Sequence, residues 1–97
     1  MPLSNTQIRF LRQQAHSLKP TVLTGAAGIT EGVIEEIKIT LEAHELIKVK
    51  VRAEDREDKR QMIERIIKQT EAEHVQTIGH TLTLYKPSKK QKITLPQ

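Results

Sequence analysis

The sequence predicts an α+β fold, a mixed four-stranded sheet packed by helices in the order α-β-α-β-α-β-β, and three observations predict it. Apolar residues recur at helical spacing in three stretches: Ile8, Leu11, Ala15 and Leu18; Val33, Ile34, Ile37 and Leu41; Met62, Ile63, Ile66 and Ile67. β-branched or alternating runs lie between and after them, at 21–24, 46–52, 75–78 and 82–85. The connections set the topology: a strand-helix-strand unit favours parallel neighbours, and a closing tight turn adds an antiparallel pair. The result is a mixed four-stranded sheet packed by helices.

Each element has its own signals. Ser4 with Gln7 three residues on is a capping-box pattern for the first helix. Pro20 is expected to end that helix, because its ring disfavours helical geometry in the preceding residue. Thr21-Val22-Leu23-Thr24 reads as a short strand. Gly25-Ala26-Ala27-Gly28 follows, and Thr30 caps a second helix, with Glu31 suiting its positive end and Ile29 placed to staple against Ile34. Gly32 in its first turn is expected to permit close packing. From Leu46 to Arg52 the pattern alternates: Ile47, Val49 and Val51 face one way, Lys48, Lys50 and Arg52 the other. Asp55 and Asp58 open a third helix, on whose outer face Glu64 and Lys68 are spaced to pair. Gly79-His80 suits a two-residue type II′ turn between the last two strands. Residues 1–87 read as one domain, and residues 88–97 as an extended basic tail.

Composition narrows the function. The chain has 97 residues, no cysteine, a net charge of +4 and a pI of about 9.6. Thiolate zinc sites, disulfides and cysteine nucleophiles are excluded, and the lack of cysteine fits a reducing, cytoplasmic setting. No apolar run approaches the roughly 20 residues that span a bilayer. All twelve Asp and Glu residues lie between Glu31 and Glu73. Residues 1–30 carry three cations and residues 74–97 carry four (Lys86, Lys89, Lys90 and Lys92). A fold that joins the two ends would have a basic pole, which attracts polyanions. An acid-free basic N-terminus also resembles a mitochondrial presequence. The strand it contributes to the sheet argues for a folded role instead.

The loop Gly25 to Gly28 is the sharpest candidate site. It joins a strand to a helix, whose first amides lack intrahelical partners, so a phosphate can approach the backbone between two glycines. A lone G-x-x-G is more often a tight turn. Here it follows a cationic stripe of Arg9, Arg12, His16 and Lys19, and the Lys48, Lys50 and Arg52 row lies elsewhere in the chain. Base stacking has little to work with, since Phe10 and Tyr85 are the only aromatics. Catalytic readings fare worse. His44-Glu45 is half of a zincin helix, but Lys48 stands where the second histidine belongs. The four histidines are scattered, and no Walker lysine follows the loop. The sequence therefore predicts no enzyme, no cofactor and no metal.

The stretches Ala15-His16-Ser17-Leu18-Lys19-Pro20, Gly25-Ala26-Ala27-Gly28-Ile29-Thr30-Glu31-Gly32-Val33, His44-Glu45-Leu46-Ile47-Lys48-Val49-Lys50, Val75-Gln76-Thr77-Ile78-Gly79 and Leu84-Tyr85-Lys86-Pro87 resemble the bacterial YhbY-type proteins. These are the stand-alone form of the CRM (chloroplast RNA splicing and ribosome maturation) domain. The resemblance implies a two-layer α+β fold like the C-terminal domain of a bacterial translation initiation factor, plus an extra N-terminal helix. It also implies association with precursors of the large ribosomal subunit and a role in ribosome assembly. Two positions depart from the pattern: Ala26 and Ala27 stand where relatives often have a basic or polar residue, and Glu71 where they commonly have Gly.

The function expected is thus a monomeric, cytoplasmic RNA-binding protein acting on ribosomal RNA, with neither membrane nor small-molecule partner. Its site would comprise Gly25, Ala26, Ala27, Gly28 and Thr30, with Arg9, Arg12, His16, Lys19, Lys48 and Lys50. The alternative is an adaptor that contacts a ribosomal or assembly protein through Lys48, Lys50 and Arg52. A weaker third reading is a hydrolase built on His44 and Glu45.

Overall fold

The protein is described by a computed structural model covering residues 3–25 and 27–97. Its elements are α1 (Asn5–Ala15), β1 (Val22–Leu23), α2 (Glu31–His44), β2 (Leu46–Lys50), α3 (Arg56–Thr70), β3 (Glu73–Ile78) and β4 (Thr81–Tyr85). The sheet order is β1-β2-β4-β3. β1 runs parallel to β2, and the β2–β4 and β4–β3 pairs are antiparallel, so the sheet is mixed as the sequence predicts.

Alternation along β2 divides the core between the two faces of the sheet. Ile47, Val49 and Val51, with Val22, Leu82 and Leu84, meet Ile34, Ile37 and Leu41 of α2 and Met62 and Ile66 of α3. On the opposite face Leu46, Val75 and Tyr85 meet Leu11 and Ala15 of α1. The α2–α3 layer is the two-layer unit, and α1 is the additional helix, set on the face that would otherwise be wet. It covers only the end of that face near Leu46. Lys50 and Leu23, in register with each other, remain exposed.

The caps follow the sequence. Ser4 Oγ accepts from the Gln7 amide (3.1 Å) while Gln7 Oε1 accepts from the Ser4 amide (3.0 Å). Thr30 Oγ1 accepts from the Val33 amide (3.2 Å), and Ile29 and Ile34 are buried in one cluster. Asp55 Oδ1 accepts from the Asp58 amide, and Asp58 Oδ2 from the Glu54 amide (2.8 and 2.9 Å).

Several elements differ in extent. α1 ends at Ala15, well before Pro20. Leu18 is 38% exposed and offers no burial to extend the helix, which closes in tight turns from His16 N–H to Gln13 O and Leu18 N–H to Ala15 O. Lys19 therefore leaves the helical stripe. β1 spans two residues, yet Thr21 and Thr24 still donate their amides to Lys48 O and Lys50 O (both 3.0 Å). β3 begins at Glu73, with an irregularity between His74 and Gln76. Gly32 is exposed, and an added Cβ would meet only Thr30 Oγ1 at 3.7 Å, so close packing does not explain it. Glu64 pairs with Arg60 (2.6 Å) rather than Lys68; Arg60 holds Glu57 as well.

The segment after Pro87 also departs from an extended tail. Ser88 is buried, and Ile93 and Leu95 pack on the α1 cluster. The segment wraps Glu45, which is 0% exposed at the end of α2. Lys92 and Ile93 donate backbone N–H groups to its carboxylate (2.9 and 2.7 Å), alongside two donors from Ser88. The segment also meets α1, where Gln7 Nε2 donates to Pro96 O (3.1 Å).

Candidate nucleic-acid interface

The loop after β1 lies beyond the Lys50 end of β2, because the two strands run parallel and Leu23 pairs with Lys50. Gly28 has φ +77, a conformation that costs other residues about 1–2 kcal/mol. Its N–H donates to Gly25 O (3.0 Å), which closes the turn and occupies one of the amides expected to face a ligand. A Cβ added at Gly25 or Gly28 would meet nothing within 4 Å, so the turn is open. Ala26 lies outside the described residues. Thr30 is exposed, and its hydroxyl oxygen already caps α2.

The charged neighbours of this loop are mixed. A depression beside Ala27, Gly28 and Ile29 is lined by Arg52 and Arg65 but also by Glu54 and Asp58. Arg52 is fixed there by its backbone, whose N–H donates to the buried Thr24 hydroxyl (2.7 Å). Arg65 was not evident from sequence, since its helical position gave no hint that α3 passes beneath the loop.

The other basic residues divide. Arg12 and His16 stand with Lys48 around a groove between α1 and the sheet, completed by Ala15, Gln76, Ile78, Thr81 and Thr83. Arg12 Nε donates to Val75 O at 3.4 Å, and Lys48 Nζ to Leu18 O at 3.0 Å. Burial lowers the His74 pKa, and the nearby Arg12 charge lowers it further. Arg9, exposed, continues the Arg12–His16 stripe along α1, whereas Lys19 lines a separate depression with His44 and Ile93. Lys50 shares the face of Lys48 two residues further along β2, and lines a depression with Arg52. The terminal cations Lys86 and Lys92 are drawn elsewhere: their ammonium groups donate to Thr70 O and Ala43 O near the ends of α3 and α2.

Glu45 and His44 do not form a site. His44 is exposed, while the Glu45 carboxylate turns inward. Burial alone would raise the Glu45 pKa, but hydrogen bonds from Ser88, Lys92 and Ile93 overcome it and hold the carboxyl down at about 2. Among the described residues there is no group of three or more His, Asp or Glu residues that could hold a metal ion, and no helix long and apolar enough to cross a membrane.

Known proteins match this chain along nearly its full length. The family model described as the CRS1 / YhbY (CRM) domain matches residues 3–86. An RNA-binding protein of Haemophilus influenzae is 53% identical over 95 residues, which cover 98% of this chain and 96% of the relative. The probable RNA-binding protein YqeI of Bacillus subtilis is 45% identical over 95 residues, covering 97% and 99%. The solution structure of the hypothetical protein SAV1595 from Staphylococcus aureus superposes with a TM-score of 0.84 at 41% identity, covering 97% of this chain and 99% of that one.

Proposed function

This chain belongs to the CRS1 / YhbY (CRM) domain family, and from that premise we propose that it binds RNA through the turn preceding α2 and the basic residues on the α1 side of the sheet. The observation that carries the reading is the turn itself. It is open on the solvent side, held by Gly28 at φ +77, and flanked by Arg52 and Arg65. A phosphate at such a turn gains backbone donors and the positive end of the helix. Gly25, Ala26, Ala27, Gly28 and Thr30 form this part of the site; Arg9, Arg12, His16, Lys48 and Lys50 extend it, with Lys19 at its margin.

The RNA is ribosomal, encountered in precursors of the large subunit, and the protein assists their assembly as a cytoplasmic monomer without a cofactor. The family resemblance supports this assignment. Replacing Gly28 with Asp adds a carboxylate to a depression that already holds Glu54 and Asp58. RNA affinity should collapse; the site has room for the side chain, the positive φ makes the change cost about 1–2 kcal/mol, and thermal unfolding of G28D checks that the fold is kept. Cosedimentation with large-subunit precursors should be lost in parallel. Undiminished RNA affinity in G28D would remove the turn from the site. Binding to particles stripped of RNA would favour the adaptor reading instead.

A further inference from the structure

We propose that the groove between α1 and the uncovered sheet face holds a run of unpaired nucleotides, so that this domain's ligand is single-stranded rather than duplex RNA. The inference rests on the RNA-binding reading above and specifies its ligand class. The register supplies the first argument. Leu23 pairs with Lys50, Lys50 with Thr81, and Thr81 with Ile78, so one row crosses all four strands on a single face. With strands about 4.8 Å apart the row is roughly 14 Å long. Its two ends are apolar and bare, with Leu23 64% and Ile78 66% exposed. Scattered surface hydrophobics need no explanation, but two in one register row, with a lysine between them, make an amphipathic strip.

The next row, Lys48–Thr83–Gln76, forms the floor of the groove walled by Arg12, Ala15 and His16. The groove measures about 240 Å³, below the roughly 300–1,000 Å³ of enclosed small-molecule sites, and it opens onto the Leu23–Ile78 row. None of its lining residues is Asp or Glu, in contrast to the depression beside the loop. That charge pattern fits a polyanion. The Gln76 amide and Thr81 hydroxyl, recessed beside a helix, can meet base edges only where the bases are not already paired. Duplex RNA presents phosphates and 2′-hydroxyls across a shallow groove and keeps its base edges inside. The planar Arg12 guanidinium offers a stacking surface where aromatics are missing. Leu23 and Ile78 would cover the faces of flanking bases, and Lys48 and Lys50 the phosphates.

Fluorescence anisotropy with a short unstructured oligoribonucleotide, and with the duplex of the same sequence, tests this on the full chain. The wild type should bind the single strand more tightly than the duplex. Ile78→Ser, a change at an exposed position, should weaken single-strand binding roughly fivefold through lost apolar contact, leaving the salt dependence and duplex binding unchanged. Arg12→Gln should weaken single-strand binding through the lost stacking surface. Thermal unfolding of both variants verifies the fold. If Ile78→Ser and Arg12→Gln leave single-strand affinity untouched while Gly28→Asp abolishes it, the groove is not the site and RNA binding is confined to the turn before α2. Equal losses on strand and duplex overturn the ligand class. A wild type that binds neither RNA overturns both proposals.

Discussion

Ser88 donates both its backbone N–H and its hydroxyl to the same oxygen of Glu45, at 2.8 and 2.6 Å, forty-three positions away in the chain. The other oxygen receives the Ile93 amide. A carboxylate with no exposure, held by three backbone N–H groups and one hydroxyl, joins the end of α2 to the C-terminal segment. Replacing Glu45 with Gln keeps the shape but aims an amide NH2 at groups that themselves donate. The loss should be about 2–3 kcal/mol, from hydrogen bonds to a charged acceptor. In a domain of this size that lowers the thermal midpoint by roughly 10–20 °C, measurable by calorimetry.

The same carboxylate sets an acid limit. Its pKa is lowered from 4.5 to about 2 in the folded chain, so the unfolded chain binds the proton more readily. The stability it contributes is complete above the unfolded value of 4.5 and is lost as pH falls from there through 2. Denaturant midpoints across that interval should fall steeply in the wild type and less so in E45Q. Parallel slopes would mean that Glu45 is not ionised in the fold.

Removing residues 88–97 takes away every donor to that carboxylate except solvent and uncovers Leu11 and Tyr85. The truncated chain should unfold at lower denaturant than the full chain, by more than E45Q does. Because both changes disrupt one network, their combination should cost less than the sum of the two.

Glu71 ends α3 at φ 59, ψ 26, a left-handed conformation that a side chain disfavours. It is exposed, so Glu71→Gly should raise stability by about 1 kcal/mol without touching RNA affinity. Glu45 has a similarly positive φ of 66, yet glycine there should destabilise, since the carboxylate is lost with the strain. Opposite signs at these two positions, read from urea curves, would separate a strained cap from an anchored one.

Much of this architecture was legible in the sequence. Capping residues Ser4, Thr30 and Asp55 start helices where their side chains allow, and the alternation of Ile47, Val49 and Val51 assigns the face of β2. Local rules carry that information. What they could not carry is which strands become neighbours across the chain: β4 inserts between β2 and β3, and only that register puts Ile78, Thr81 and Lys50 in one row. α1 ends at Ala15 because Leu18 finds no burial that would extend it, which Pro20 does not reveal. The turn at Gly28 was visible, whereas Glu54 and Asp58 beside it were not, because α3 approaches it only in three dimensions. Glu45 carried no signal at all: an acid after a helix is ordinary until its burial is known.

The contact of Gln7 with Pro96 spans 89 positions, and Ile93 and Leu95 roof the helix that contains Leu11. During synthesis, then, an early helix ending at Ala15 stays without its roof until Ile93 and Leu95 have emerged. A chain stalled before Ile93 exposes an oily patch on one side of an otherwise assembled sheet, a handle for quality-control proteases.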